Sequence, residues 1–160
     1  MQSDPKTQPE NAAAAPQGTP VRQLSVFLHN RVGALLALVK LLGDHHIAVL
    51  GLSLQDTTEL SLLRLIVSNP EDAQLIFIEK GIPHVMTPVT AVELTETDTA
   101  LPQALAALLG AEVNISFSYP LLIRPADKAV LILHLDSPDF AAKVLANSGF
   151  KVLMQEDLSR

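Results

Sequence analysis

The 160-residue sequence has no cysteine, no tryptophan and a single tyrosine. Without cysteine there can be no disulfides and no thiolate metal sites, and the composition fits a cytoplasmic protein. Aromatic residues make up 4% of the chain while 48% is hydrophobic, so any core must be built from Leu, Val, Ile and Ala. Positive charge is also scarce. Eleven Lys and Arg stand against seventeen Asp and Glu, for a net charge of -6, and the basic residues are scattered singly. Phosphate-backbone binding needs them clustered, so no nucleic-acid partner is expected. No apolar run approaches the ~18–20 residues of a membrane span, and no apolar segment near the N-terminus suits a secretory signal.

Catalytic signatures are missing as well. There is no Gly-x-Ser-x-Gly elbow, no phosphate-cradling Gly-rich loop and no Glu-x-x-His. Of the five histidines, His45 and His46 are adjacent and cannot easily share one ion on a helix; their place near a helix end suits a dipole contact. His134 falls in a strand, packed or at an interface. No catalytic residue, no metal and no cofactor is expected, and the chain reads as a non-enzyme.

What is present is a repeat. Leu63-Arg-Leu-Ile-Val-Ser-Asn-Pro70 matches Leu131-Ile-Leu-His-Leu-Asp-Ser-Pro138, and the same offset carries Ala73 onto Ala141, Gly81 onto Gly149 and Met86 onto Met154. Repeats of this kind mark duplicated structural units. Asn69 and Ser137 suit helix N-caps, with Pro70 and Pro138 at the first helical position. Gly81 and Gly149 suit the left-handed residue past a helix end. Upstream, Leu24, Val26 and Leu28 alternate as in a strand, and Leu35, Leu38, Val39 and Leu42 recur at helical spacing. The second unit repeats the order, with Val89–Leu94 as strand, Leu101, Leu105 and Leu108 lining a helix, and an insertion around Ile123–Lys128. Each unit is βαββαβ, giving an α+β fold of two tandem ferredoxin-like domains, each an antiparallel sheet with helices on one face. The expected boundaries are a disordered tail at 1–20, a first domain at 21–87 and a second at 88–160. The linker at Thr87-Pro88 is so short that the units should pack side by side, with one continuous eight-stranded sheet as the extreme case. Gln155-Glu156-Asp157 reads as a solvated end.

The order and size of these units resemble ACT domains, small-molecule-sensing modules found on or beside enzymes of amino-acid metabolism. Asn30-Arg31-Val32-Gly33-Ala34-Leu35 looks like the Asn-Arg-Pro-Gly-x-Leu loop of the serine-sensing ACT domain of phosphoglycerate dehydrogenase, with Val32 in place of Pro. Val113-Asn114-Ile115 is similar to the Val-Asn-Ile that opens the second strand there. The resemblance implies a pocket shared between the loop of one domain and the second strand of the other. A Gly at a strand-to-helix turn lets backbone approach a ligand, and the free N–H groups of the helix start suit a carboxylate.

The units are unequal on this point. Thr99 stands where Gly33 stands, and Ala48 stands where Asn114 stands. One working amino-acid site is therefore expected, from Asn30, Arg31, Val32, Gly33, Ala34 and Leu35 with Asn114, Ile115 and Ser116. The plainer alternatives are a capped turn for the loop and a strand-end bond for Asn114. Asp98 would repel a carboxylate from the second loop. Val130 and Ile132, like Leu62 and Ile66, point away from the helix side, and such an open apolar face suggests burial in a homodimer. The leading functional expectation is a regulator that binds a small amino acid and signals in trans to a metabolic enzyme or other regulator. The alternative is a protein–protein interaction module with a vestigial pocket.

Overall fold

The computed structural model describes residues 16–29 and 33–159. The repeat predicts the elements well. The first unit runs β1 (Val21–His29), α1 (Ala34–Asp44), β2 (Val49–Asp56), β3 (Leu60–Val67) and α2 (Pro70–Lys80). Strand β4 (His84–Leu94) follows, then α3 (Thr97–Gly110), β5 (Ile115–Pro120), β6 (Ala129–Leu135), α4 (Pro138–Asn147), β7 (Val152–Leu153) and a terminal turn of helix, α5 (Gln155–Leu158).

Local chemistry sets the helix ends. The Asn69 side chain accepts from the Asp72 N–H at 3.1 Å, and Pro70 opens α2 without an N–H to lose. Ser137 occupies the matching position on α4, but its side chain makes no capping bond there. Gly81 takes φ 67° and Gly149 φ 88°, the left-handed geometry that ends α2 and α4. The His45 ring lies 2.9 Å from the Leu41 carbonyl at the end of α1, the expected helix-end contact.

The sheet is continuous across both units, in the order β2-β3-β1-β4-β6-β5 with β7 also on β4. It has seven strands, not eight, because β4 serves twice. Its first half pairs β1 from Val21↔Val89 to Val26↔His84, and its second half pairs β6 from Thr90↔Leu133 to Leu94↔Ala129. All these pairings are antiparallel.

Three apolar clusters follow from this layout. One lies under α1 and α2, with Leu24, Leu42, Leu65 and Phe77 at its centre. Another lies under α3 and α4, with Val92, Leu108, Leu133 and Leu145. On α3 the buried residues are Ala100, Ala104 and Leu108, while Leu105, expected to line the core, is 40% exposed. The smaller alanines sit closest to the sheet, and the helix is rotated accordingly.

The third cluster corrects the reading of the open sheet face. Val130 and Ile132 from the second unit pack with Ile66, Leu50 and Val21 from the first, joined by Tyr119, Leu121 and Leu153. The sheet curls through β4 so that the helix-free faces of the two units cover one another. Three of the four side chains that suggested a dimer, Ile66, Val130 and Ile132, are thus buried within one chain, while Leu62 is half-buried and outside this cluster.

The C-terminal segment is also part of this joint. Gln155, read as solvated, is 5% exposed, and Leu158 is buried in the shared cluster. Pro20 bridges to Met154, and the Gln155 N–H donates to the Thr19 carbonyl at 2.8 Å. Residues 19 and 20, placed by composition in the tail, are therefore held against the end of the chain.

Candidate functional site

The expected loop leaves β1 after His29. Asn30, Arg31 and Val32 lie outside the described residues. Gly33 has φ 88° and ψ -8°, a left-handed geometry that side chains disfavour, and its carbonyl accepts from the Ala37 N–H at 2.8 Å. Gly33 stands at the N-cap of α1 without a side chain to cap it, and the first turn carries no acidic residue. Among the described residues no side chain caps the N–H groups that open this helix, a start that suits an anionic guest. Ala34 is half-buried, and Leu35 packs against the core of the first unit, which anchors the turn.

The second half of the expected site lies at the start of β5. The Asn114 N–H donates to Asp136 Oδ1 at 3.3 Å, its Nδ2 donates to Asp136 Oδ2 at 3.0 Å, and its carbonyl accepts from the Asp136 N–H at 3.3 Å. The backbone N–H and one of the two Nδ2 hydrogens of Asn114 are thus engaged at the strand end, the plainer of its two readings. Ile115 and Ser116 are exposed, at an irregularity where the pairing passes from Ile115↔Leu135 to Phe117↔His134. Among the described residues no hydrogen bond links Gly33–Leu35 with Asn114–Ser116.

The contact between units lies further along β5. Tyr119 Oη donates to Gln23 Oε1 at 2.6 Å inside the shared apolar cluster, and Gln23 Nε2 donates to Ser25 Oγ at 2.9 Å. Burial pushes the Tyr119 phenol up from its ordinary value, against the opposing influence of the Arg64 charge. The Arg64 guanidinium lies 3.9 Å over the Phe117 ring, and His134 stacks with Phe117 at 4.9 Å. The Leu122 N–H, two residues past β5, donates to the Leu50 carbonyl of β2 at 2.8 Å where β2 and β5, the opposite edges of the sheet, come into contact. Removing the phenol hydroxyl with Tyr119→Phe strands the buried Gln23 oxygen and is expected to cost about 1–3 kcal/mol, read from urea unfolding. An unchanged midpoint would show that water reaches Gln23 there.

A cavity of about 520 Å³ opens at the other loop, between β4 and α3. Its walls include Thr95, Thr99, Gln103, Lys151 and the ion pair of Glu93 with Lys128. Asp98 is not among the lining residues. The sequence had marked this loop as the degraded half. The signal it offered was an acidic residue in β4 followed by a longer hairpin ending in Lys128. A second cavity, about 530 Å³, lies between residues 16–20 and the start of α4. Neither cavity is lined by Gly33–Leu35 or Asn114–Ser116. Among the described residues no cluster of three or more His, Asp or Glu could hold a metal, and no helix is long and apolar enough to cross a membrane.

Comparisons with known proteins agree with this architecture. A family model described as an ACT domain pair matches residues 19–160. No curated protein matches the sequence. Among solved structures, a protein of Bacteroides thetaiotaomicron superposes with a TM-score of 0.81 at 24% identity, over 89% of this chain and 97% of that one. The regulatory subunit of aspartate kinase from Thermus thermophilus, in its ligand-free form, gives 0.59 at 12% identity, over 86% of this chain and 99% of that one. The same subunit from Thermus flavus gives 0.55 at 13% identity, over 85% and 97%. At these identities the structures speak for the fold alone, whereas the family model covers both units from Thr19 to the C-terminus: the chain belongs to the ACT domain pair family.

Proposed function

We propose that this protein is a regulator that binds a small amino acid through the loop opening α1 and passes its occupancy in trans to a metabolic enzyme or other regulator. The observation that carries this reading is the uncapped start of α1, with Gly33 at φ 88°, in a chain of the ACT domain pair family. An amino-acid carboxylate supplies the anion that this helix end lacks. The regulatory part leans on kinship of fold with the regulatory subunit of aspartate kinase. Ligand occupancy can bias how the units pack, because they share β4 and one apolar cluster.

A second reading is favoured by one observation. Asn114, the residue expected to complete the pocket, turns its side-chain amide nitrogen toward Asp136. On that reading the pocket is vestigial and the protein docks a partner, another copy included. Phe27, Leu60 and Val85 are exposed on the first unit's half of the sheet.

A thermal-shift screen of the full chain against the twenty amino acids decides between them. At about 100 times its Kd, one amino acid is expected to add about 2.7 kcal/mol, or roughly 5–10 °C in Tm. Gly33→Asp places a carboxylate at the helix start and is expected to abolish that shift. No shift with any amino acid would leave the docking reading.

A further inference from the structure

The two units differ where each sheet meets the start of its second helix. In the first, Arg22 on β1 donates to the Glu71 carboxylate in the first turn of α2, and that hydrogen bond holds the Glu71 carboxyl below the usual carboxylate value. The register that sets Thr99 on Gly33 also sets Pro88 on Arg22, and the register that sets Pro138 on Pro70 sets Asp139 on Glu71. The second unit thus repeats the carboxylate without the cation. Arg22 and Pro88 are partners across the β1–β4 ladder, so both project from the same side of the sheet. Where Arg22 spans from strand to helix in the first unit, the second has the cavity of about 530 Å³. Its walls are largely apolar and include Pro16, Pro20, Pro88, Pro138, Val152 and Met154. Three polar side chains line it as well, Thr90, Asp139 and Lys143. Among the described residues neither Asp139 nor Lys143 has an ion-pair partner. Thr90 stands where the first unit has the core residue Leu24. It is 5% exposed, and among the described residues no hydrogen bond engages its hydroxyl. A buried hydroxyl is ordinarily paired, and the cavity is where a partner can reach this one.

We propose that this cavity binds a small guanidine. Its guanidinium sits on Asp139 as that of Arg22 sits on Glu71, its short stem lies against the prolines, and a neutral hydrogen-bonding group at the far end of the stem pairs with Thr90. The cavity is of a size that suits a small molecule. A guanidinium stays charged at any pH the protein meets and offers a carboxylate two parallel N–H donors. No amino-acid head enters this recognition. Lys143 is exposed on a long stem and can turn into water as the cation arrives. The first unit has Leu75 at that place, so the like charge is particular to the second. None of Gly33–Leu35 lines the cavity, and the assignment does not depend on the loop that opens α1.

Calorimetric titration of the full chain tests the assignment, with 4-guanidinobutanol and n-butylguanidinium as probes. The wild type is expected to bind 4-guanidinobutanol at one site per chain, and n-butylguanidinium, which has nothing for Thr90, about five-fold more weakly. Asp139→Asn should weaken both probes about five-fold. Thr90→Val should weaken only 4-guanidinobutanol and leave the two probes equal. Lys143→Leu, which removes the like charge, should tighten both about three-fold. Pro88→Arg restores in the second unit the arrangement of the first and should abolish binding, because the new side chain takes the place of the ligand. If the wild type binds neither probe, or if Asp139→Asn binds both as tightly as the wild type, the carboxylate serves only the start of α4 and the assignment is wrong. Should Pro88→Arg not fold, the exposed Asp139→Asn and the shape-preserving Thr90→Val decide alone. Running the series also in Gly33→Asp separates this site from the α1 loop, since loss of that loop's ligand leaves these outcomes unchanged.

Discussion

Ile132→Ala is expected to lower the unfolding free energy by about 2–5 kcal/mol, the range for removing a large aliphatic side chain from a packed core. Ile132 is fully buried in the cluster shared by the two units, with Ile66, Val21 and Leu50 of the first unit in the same cluster. Its neighbours on β4 and β6 are fixed by the ladder, so the space left by truncation cannot close cheaply. The loss should also be independent of protein concentration, because the partner surface belongs to the same chain. Urea unfolding at two concentrations a hundred-fold apart checks both statements. A midpoint that moves with concentration would return Ile132 to an interface between chains. A loss well under 1 kcal/mol would mean that the two sheet faces are not in firm contact.

That case shows what the sequence could and could not reveal. Alternation in β1, β3 and β6 places Leu24, Leu63 and Leu133 on the helix side and Ile66, Val130 and Ile132 on the other, and the structure agrees at each of these positions. Periodicity is a local property, so it states that a face is apolar. It does not state what covers the face. That answer depends on the curl of the sheet at β4, which brings residues such as Gln23 and Tyr119, far apart in sequence, within hydrogen-bonding distance. The helix punctuation was legible for the same local reason: Asn69, Pro70 and Gly81 each act within a few residues of themselves.

The candidate site was only half legible. Gly33 declares its left-handed turn because few other residues tolerate it. Asn114 declared an amide but not its partner, and Asp136 lies on the far side of a hairpin in sequence while adjacent in space. Glu93 and Lys128 belong to different strands and a loop insertion, and no spacing rule joins them. Polar residues that meet across the fold leave no periodic trace, so the charged cavity of the second unit becomes visible only once the chain is folded.

Gln155 is the sharpest instance and carries the second large effect. Its charged neighbours made it look like part of a solvated end, yet the side chain lies buried between the two units. Its Oε1 accepts from the Arg22 N–H at 3.1 Å, and its Nε2 donates to the Val67 carbonyl at 3.3 Å and to Ser159 Oγ at 3.3 Å. Ser159 Oγ in turn donates to the Ser68 carbonyl at 2.8 Å. One side chain thus fastens the last turn of the second unit to the first residues of β1 and the last residue of β3. Gln155→Ala removes the partner of a backbone donor and of a backbone acceptor in the first unit, with water poorly placed to replace them. At about 1–3 kcal/mol for each group left unsatisfied, the expected loss is about 2–6 kcal/mol. The Arg22 amide should lose its protection in hydrogen exchange, while amides in the middle of α1 keep theirs, because the opening is local to the joint. If Arg22 stays as protected as in the wild type, the C-terminal turn is not what holds the start of β1. Because the candidate ligand loop stands on β1, which is fastened at this joint, Gln155→Ala also tests whether the units communicate. A weakened joint should reduce any coupling between occupancy of one unit and the packing of the other.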